Sequence, residues 1–194
     1  MEGLRMTQDK GSEAMVPLRE AENEVKVVTQ RLALLHLAYA RTLVDAFGWT
    51  EGKRLVLKAI KEYGKRVADR ASRGHQSLPK YGFWERRAGQ PQLCELGKLV
   101  VESGEEDIGS LYCLIDAAKT MFTTPEQKLI HTQCLTVGDD HCDFATVPTT
   151  PRDREAFFAD DEDWSPVDPR LDEFYRQKEA PTKEDRQTAH TDDQ

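Results

Sequence analysis

Two cysteines, two histidines and three aspartates crowd into "HTQCLTVGDDHCDF", residues 131–144 of a 194-residue chain that holds only four cysteines. A thiolate is a nucleophile and a metal ligand, an imidazole moves protons near neutral pH, and a carboxylate can serve as acid, base or anchor. Three chemistries are open to such a set: a metal centre, thiol-dependent catalysis, or a tight turn whose cysteines are small core residues. Metal ligands are often spaced as Cys-x-x-Cys or His-x-x-x-His. His131, Cys134, His141 and Cys142 have neither spacing, so no metal and no cofactor is expected. A second group lies upstream in "YCLID", where Cys113 stands three residues before Asp116. Cys113, Asp116, Cys142, His131 and His141 are therefore the candidate catalytic residues.

These residues need elements to hold them. "KLIHTQCLTV" and "HCDFATV" read as two strands, with "GDD" supplying the turn. An even loop of Asp139 and Asp140 pairs Val137 with Cys142 and Leu135 with Phe144, which sets Cys134 and Cys142 on opposite faces. An odd loop that includes Gly138 sets them on one face; the apolar matches favour the even loop. "GSLYCLIDAA", residues 109–118, reads as a buried strand entering a helix or turn. "LCELGKLVVES" fits a short helix or a strand equally.

Ahead of these lies a helical pair. Val25, Val28, Leu32, Leu35, Tyr39, Leu43 and Phe47 recur at steps of three and four, which marks one apolar face. Gly48 supplies a stop and Thr50 a cap. A second face follows through Val56, Ile60, Tyr63, Val67 and Ala71. So short a connection predicts a helical hairpin. Between the helices and the strands, "RGHQSLPKYGFWERRAGQPQ" (73–92) is a loop carrying Tyr81, Phe83 and Trp84, with Arg86 and Arg87 beside them. Aromatic loops can line a pocket, and an arginine fork can hold a carboxylate, so Tyr81, Trp84, Arg86 and Arg87 are candidate substrate-binding residues.

Helices first and an antiparallel meander later define the α+β class. Residues 1–20 are polar and expected to be disordered, 21–150 form a single domain, and 151–194 are an acidic tail, disordered at its end. That tail holds 14 Asp or Glu against 7 Lys or Arg, nearly all of the net charge of −8. Its Phe157, Phe158, Trp164, Phe174 and Tyr175 are too many aromatics for an inert linker. They can dock on the domain or on a partner subunit, so a homo-oligomer through the tail or the helical hairpin is expected. An acidic chain without a basic stripe excludes nucleic acid as a partner. No segment approaches the roughly 20 apolar residues of a membrane span. Without an export signal, four cysteines read as reduced thiols in a cytoplasm. The sequence has no GxSxG turn, P-loop or GxGxxG motif.

"AFGWTEGKRLVLKAIKEYGKR", "GSLYCLIDAA" and "TPEQKLIHTQCLTVGDDHCDF" together resemble the L-2-amino-thiazoline-4-carboxylic acid hydrolase-like family. The matching positions are Phe47, Gly48, Tyr63, Gly64, Cys113, Asp116, Gly138, Asp139, Cys142 and Phe144, and the resemblance spans roughly residues 25–148. It implies hydrolysis of a small cyclic isothiourea or amidine-like ring to an N-carbamoyl amino acid. Cys113 or Cys142 would then be the thiol, Asp116 its acid–base partner, and His131 or His141 the next base. The closing motif, through Cys134, Gly138, Asp139, Cys142 and Phe144, also resembles the 4-vinyl-reductase-type ligand-binding domain. That resemblance implies a non-catalytic small-molecule binding or sensor module instead.

Overall fold

The large apolar residues of the first helical pattern do not go where their size suggests. In the computed structural model, which describes residues 16–75, 94–160 and 163–179, helix α1 runs from Leu18 to Ser72 with a break at Gly48. Gly48 has φ 76° and ψ 168°, a conformation that strains any residue with a Cβ. The chain bends there so sharply that a Cβ on Gly52 would lie 2.5 Å from the Val44 Cα. The glycine break read from the sequence is present. The faces are not those expected. Before the break Ala33, Leu37 and Ala40 are buried, while Val28, Leu32, Leu35, Tyr39 and Phe47 are 36 to 67% exposed. After it, Val56 and Ile60 are buried as expected, but Lys53, Gly64 and Ala68 join them and Tyr63 faces out. The reason is distance. Small residues let backbones approach, and a Cβ on Gly64 would stand 2.6 Å from the Ala118 Cβ.

The layer against α1 is also helical: α2 (Glu95–Ser103), α3 (Glu106–Gly109) and α4 (Ile115–Thr123). The Cys94 thiol caps α2 by accepting from Gly97 N. Residues 109–118, expected as a buried strand entering a helix or turn, have no strand: a 3₁₀ turn (Ser110–Leu114) leads into α4. A short run buried on every side loses the periodicity that separates helix from strand. Ile108, Leu111, Leu114, Ala118 and Met121 have no exposed surface.

One antiparallel pair follows, β1 (Gln127–Gln133) with β2 (Asp143–Pro148), and it completes the α+β class. Its register sets His131 opposite Phe144 and Gln133 opposite Asp143, with an irregularity between them. The two-residue loop and its pairing of Val137 with Cys142 are therefore incorrect. Instead Cys134 leaves the ladder into a 3₁₀ turn (Leu135–Val137) that closes at Gly138, φ 102°.

The C-terminal aromatics dock on their own domain. Helix α5 (Pro151–Phe158) starts in a Thr150–Asp153 capping box, and α6 (Pro169–Glu179) follows a 3₁₀ turn at Ser165–Val167. Phe157, Trp164, Leu171 and Tyr175 are buried in the main core. Polar ties hold them. Trp164 Nε1 donates to Leu57 O at 3.2 Å, Lys53 pairs with Asp163 at 3.0 Å, and the buried Lys128 reaches both Val167 O and Asp153. Most of the expected disordered N-terminal segment, the aromatic loop and the end beyond Glu179 lie outside the described residues.

The contact between α1 and α4 yields a test. Gly64→Val should lower stability by about 2–3 kcal/mol through overpacking, read as a shift in the urea midpoint. Leu35→Ala, on the exposed face, should change the isolated domain little.

Candidate active site

His131 is the hub. It is 4% exposed, at the point where β1 loses its regular pairing. Strand alternation would send Cys134, three residues on, to the other side. The irregularity and the 3₁₀ turn return it to the side of His131. Across from them, the turn before α4 presents Cys113. One ring nitrogen of His131 and the Sγ atoms of Cys113 and Cys134 all lie within 4.8 Å of one another, and all three residues are buried. The Thr136 hydroxyl bridges the sulfurs, 3.5 Å from Cys113 and 3.2 Å from Cys134.

The ring is fixed from behind. Nδ1 lies 2.7 Å from Asp168 Oδ2, and the His131 backbone N–H donates to the same oxygen at 3.0 Å. A carboxylate only accepts, so Nδ1 carries the proton and Nε2 is left for the thiols. Burial disfavours the charged ring, but the bonds to Asp168 and Cys134 outweigh it, and the His131 pKa is pushed up to about 10. The neighbouring Cys113 thiol and burial raise Cys134, while Cys142 and His131 pull it down. Cys142 is pushed up to about 11, chiefly by its bond to Cys134. Cys94 in turn is raised by Cys142 and by burial. All four cysteines are free and form one chain of neighbouring thiols.

A roof covers this cluster. Asp168 Oδ1 accepts from Arg170 N and Leu171 N at the start of α6. Arg170 grips Asp139 through two bonds, at 2.9 and 2.7 Å, and Asp139 also accepts from Cys134 N at 2.7 Å. The Arg170 guanidinium holds the Asp139 carboxyl below its usual range. Fully buried Tyr175 reaches Ser110 at 2.9 Å. Cys113, Cys134 and Cys142 are buried, but their neighbours are polar. A shallow depression of about 410 Å³ on α6, lined by Pro169, Asp172, Glu173, Arg176 and Gln177, does not touch them.

Of the expected residues, Cys113 and His131 meet, and Cys142 joins through Cys134. Asp116 is bonded to Lys119 and is not among the gathered donors. His141 is half-buried in the connection, near Asp139. Tyr81, Trp84, Arg86 and Arg87 lie outside the described residues. Sequence reasoning missed Asp168, Arg170 and Thr136, and weighed Cys134 only as a zinc ligand and motif residue. The signal for Asp168 was present. "SPVDPRLDEF" places Asp before Pro and an apolar pattern, which is a helix start.

Residues 90–145 match the family model described as L-2-amino-thiazoline-4-carboxylic acid hydrolase. The match bears out the resemblance over the segment that carries Cys113, His131, Cys134 and Cys142, and leaves the α1 motifs outside it. No curated protein and no solved structure matches the chain. Among the described residues, no helix is long and apolar enough to cross a membrane.

Two outcomes follow. His131 has a folded pKa above its unfolded value of about 6.5, so its contribution to stability is complete below pH 6.5 and is lost as pH rises through about 10. Urea midpoints from pH 6 to 10.5 should fall more steeply for the native protein than for His131→Gln. Separately, Arg170→Ala removes the grip on Asp139. It should speed modification of Cys134 by a thiol reagent at least several-fold, with circular dichroism unchanged.

Proposed function

We propose that this protein is a hydrolase that opens a small cyclic isothiourea or amidine-like ring of the 2-amino-thiazoline-4-carboxylate type. One observation carries the reading: a buried thiol, Cys134, stands against an imidazole whose far nitrogen is held by the Asp168 carboxylate. That is the nucleophile, base and orienting group of thiol-dependent hydrolysis. The family match over the same segment supports it.

The chemistry follows from the geometry. The His131 ring takes the Cys134 proton on Nε2, leaving a thiolate beside an imidazolium that Asp168 stabilises. The thiolate attacks the ring carbon between nitrogen and sulfur. As the carbon–sulfur bond breaks, the imidazolium protonates the departing sulfur. Neutral His131 then takes a proton from water, the resulting hydroxide adds to the same carbon, and Cys134 leaves as a thiolate. The product is the N-carbamoyl amino acid with its thiol free. Cys113 and the Thr136 hydroxyl donate toward Cys134 and hold it in place. A ring enters only when the roof formed by α6 moves. The reduced thiols suit a cytoplasm.

A second reading rests on the donor set alone. Zinc bonds to sulfur at about 2.3 Å and to imidazole nitrogen at about 2.0–2.1 Å, so a modest contraction of Cys113, His131 and Cys134 would close on such an ion. A carboxylate on the far nitrogen of a histidine is the usual support of a metal ligand. The protein would then be a metal-stabilised module.

Turnover of 2-amino-thiazoline-4-carboxylate by metal-free protein separates the two. The hydrolase reading expects loss of turnover in Cys134→Ala and His131→Ala, and a roughly hundred-fold or larger fall in Asp168→Asn. One zinc per chain in the purified protein, with no turnover before or after its removal, establishes the second reading instead.

A further inference from the structure

The first half of α1 carries an apolar stripe that is exposed among the described residues. Val28, Leu32, Leu35 and Tyr39 are 64, 36, 53 and 67% exposed, while Ala33, Leu37 and Ala40 on the opposite side are buried. Val25, Thr42 and Ala46 extend the stripe at alternating steps of three and four. The mean step is 3.5 residues, the repeat of a helix that packs along a second helix with the same repeat.

We propose that this stripe is the seam of a parallel homodimer, with the first half of α1 of a second copy lying along it. Exposure favours a partner here. Val28, Leu32, Leu35 and Tyr39 form one contiguous exposed apolar row, the kind of patch that marks an interaction surface. The repeat favours a copy of the same helix, because each side then presents the same knobs and holes.

The flanking charges favour parallel strands. In a parallel pair Glu24 faces Thr29 of the second copy, and Arg31 faces a His36 that burial keeps neutral and that bonds to Ile108 O. An antiparallel pair centred on Leu32 and Leu35 sets Glu24 against Asp45 of the second copy, like against like. The buried face of α1 holds each domain on the outside of the seam, so the two bodies do not compete for it.

The test is the mass of the full chain in solution. Light scattering after size exclusion at tens of micromolar should give about 44 kDa, twice the 22.1 kDa of one chain. Leu35→Glu with Tyr39→Glu should give a monomer of unchanged helicity. Val101→Glu, at a residue 42% exposed off the stripe, should remain dimeric. Thr42→Cys should cross-link to itself under mild oxidation, since parallel copies set residue 42 against residue 42. A monomeric native chain, or a dimer that survives the double substitution, overturns the seam; a dimer that does not cross-link at residue 42 overturns its parallel sense.

Discussion

A carboxylate with only 1% of its surface exposed must find partners for both oxygens inside the protein, and Asp168 does so across two elements. Oδ1 accepts the first N–H groups of α6, and Oδ2 accepts both N–H groups of His131. The same group therefore starts the last described helix and fixes the tautomer of the imidazole at the end of β1. Remove its charge and two things fail together: α6 loses its cap, and the ring loses the anchor that turns Nε2 toward the thiols. The bond thus joins α6 to the end of β1, beside Cys113 and Cys134.

The C-terminal segment is thus part of the buried His–Cys cluster's surroundings. Its aromatic residues supply the burial, and its polar residues supply direction. Trp164 and Tyr175 sit in the core beside the long helix, while Arg170 reaches Asp139 and through it the backbone of Cys134. A pair such as Arg170 and Asp139, part exposed to water, contributes little to overall stability. Its value is orientation: it holds the turn that carries Cys134 beneath α6. The cluster is closed and polar, under a helix tied by such bonds.

What the sequence made legible follows from which interactions are local. The Gly48 break, the two strands, Cys113 and His131 could all be read, because a turn residue, a strand pattern or a reactive side chain announces itself within a few positions. Three things could not. The buried face of α1 mixes Leu37, Val56 and Ile60 with Ala33, Ala40, Gly64 and Ala68, and the small residues, which let another helix approach closely, are missed by any size-based periodicity. The strand expected at the start of 109–118, before a helix or turn, is a 3₁₀ turn, because near-complete burial erases the pattern that distinguishes strand from helix. And Cys134 shares a side with His131 only through an irregularity in the ladder, which single-residue alternation rules out in advance. Asp168 was hidden differently: its helix-start signal was plain, but its partner lies 37 residues upstream.

The central claim is that Asp168 holds a protonated Nδ1 on His131 and leaves Nε2 to the thiols. Nuclear magnetic resonance of protein labelled with ¹⁵N in its imidazoles tests it directly. The account predicts one slowly exchanging, far-downfield Nδ1 proton that disappears in Asp168→Asn, with the paired Nε2 signal shifting in Cys134→Ser. A His131 ring that exchanges freely in the native protein, or signals that neither substitution moves, would contradict it.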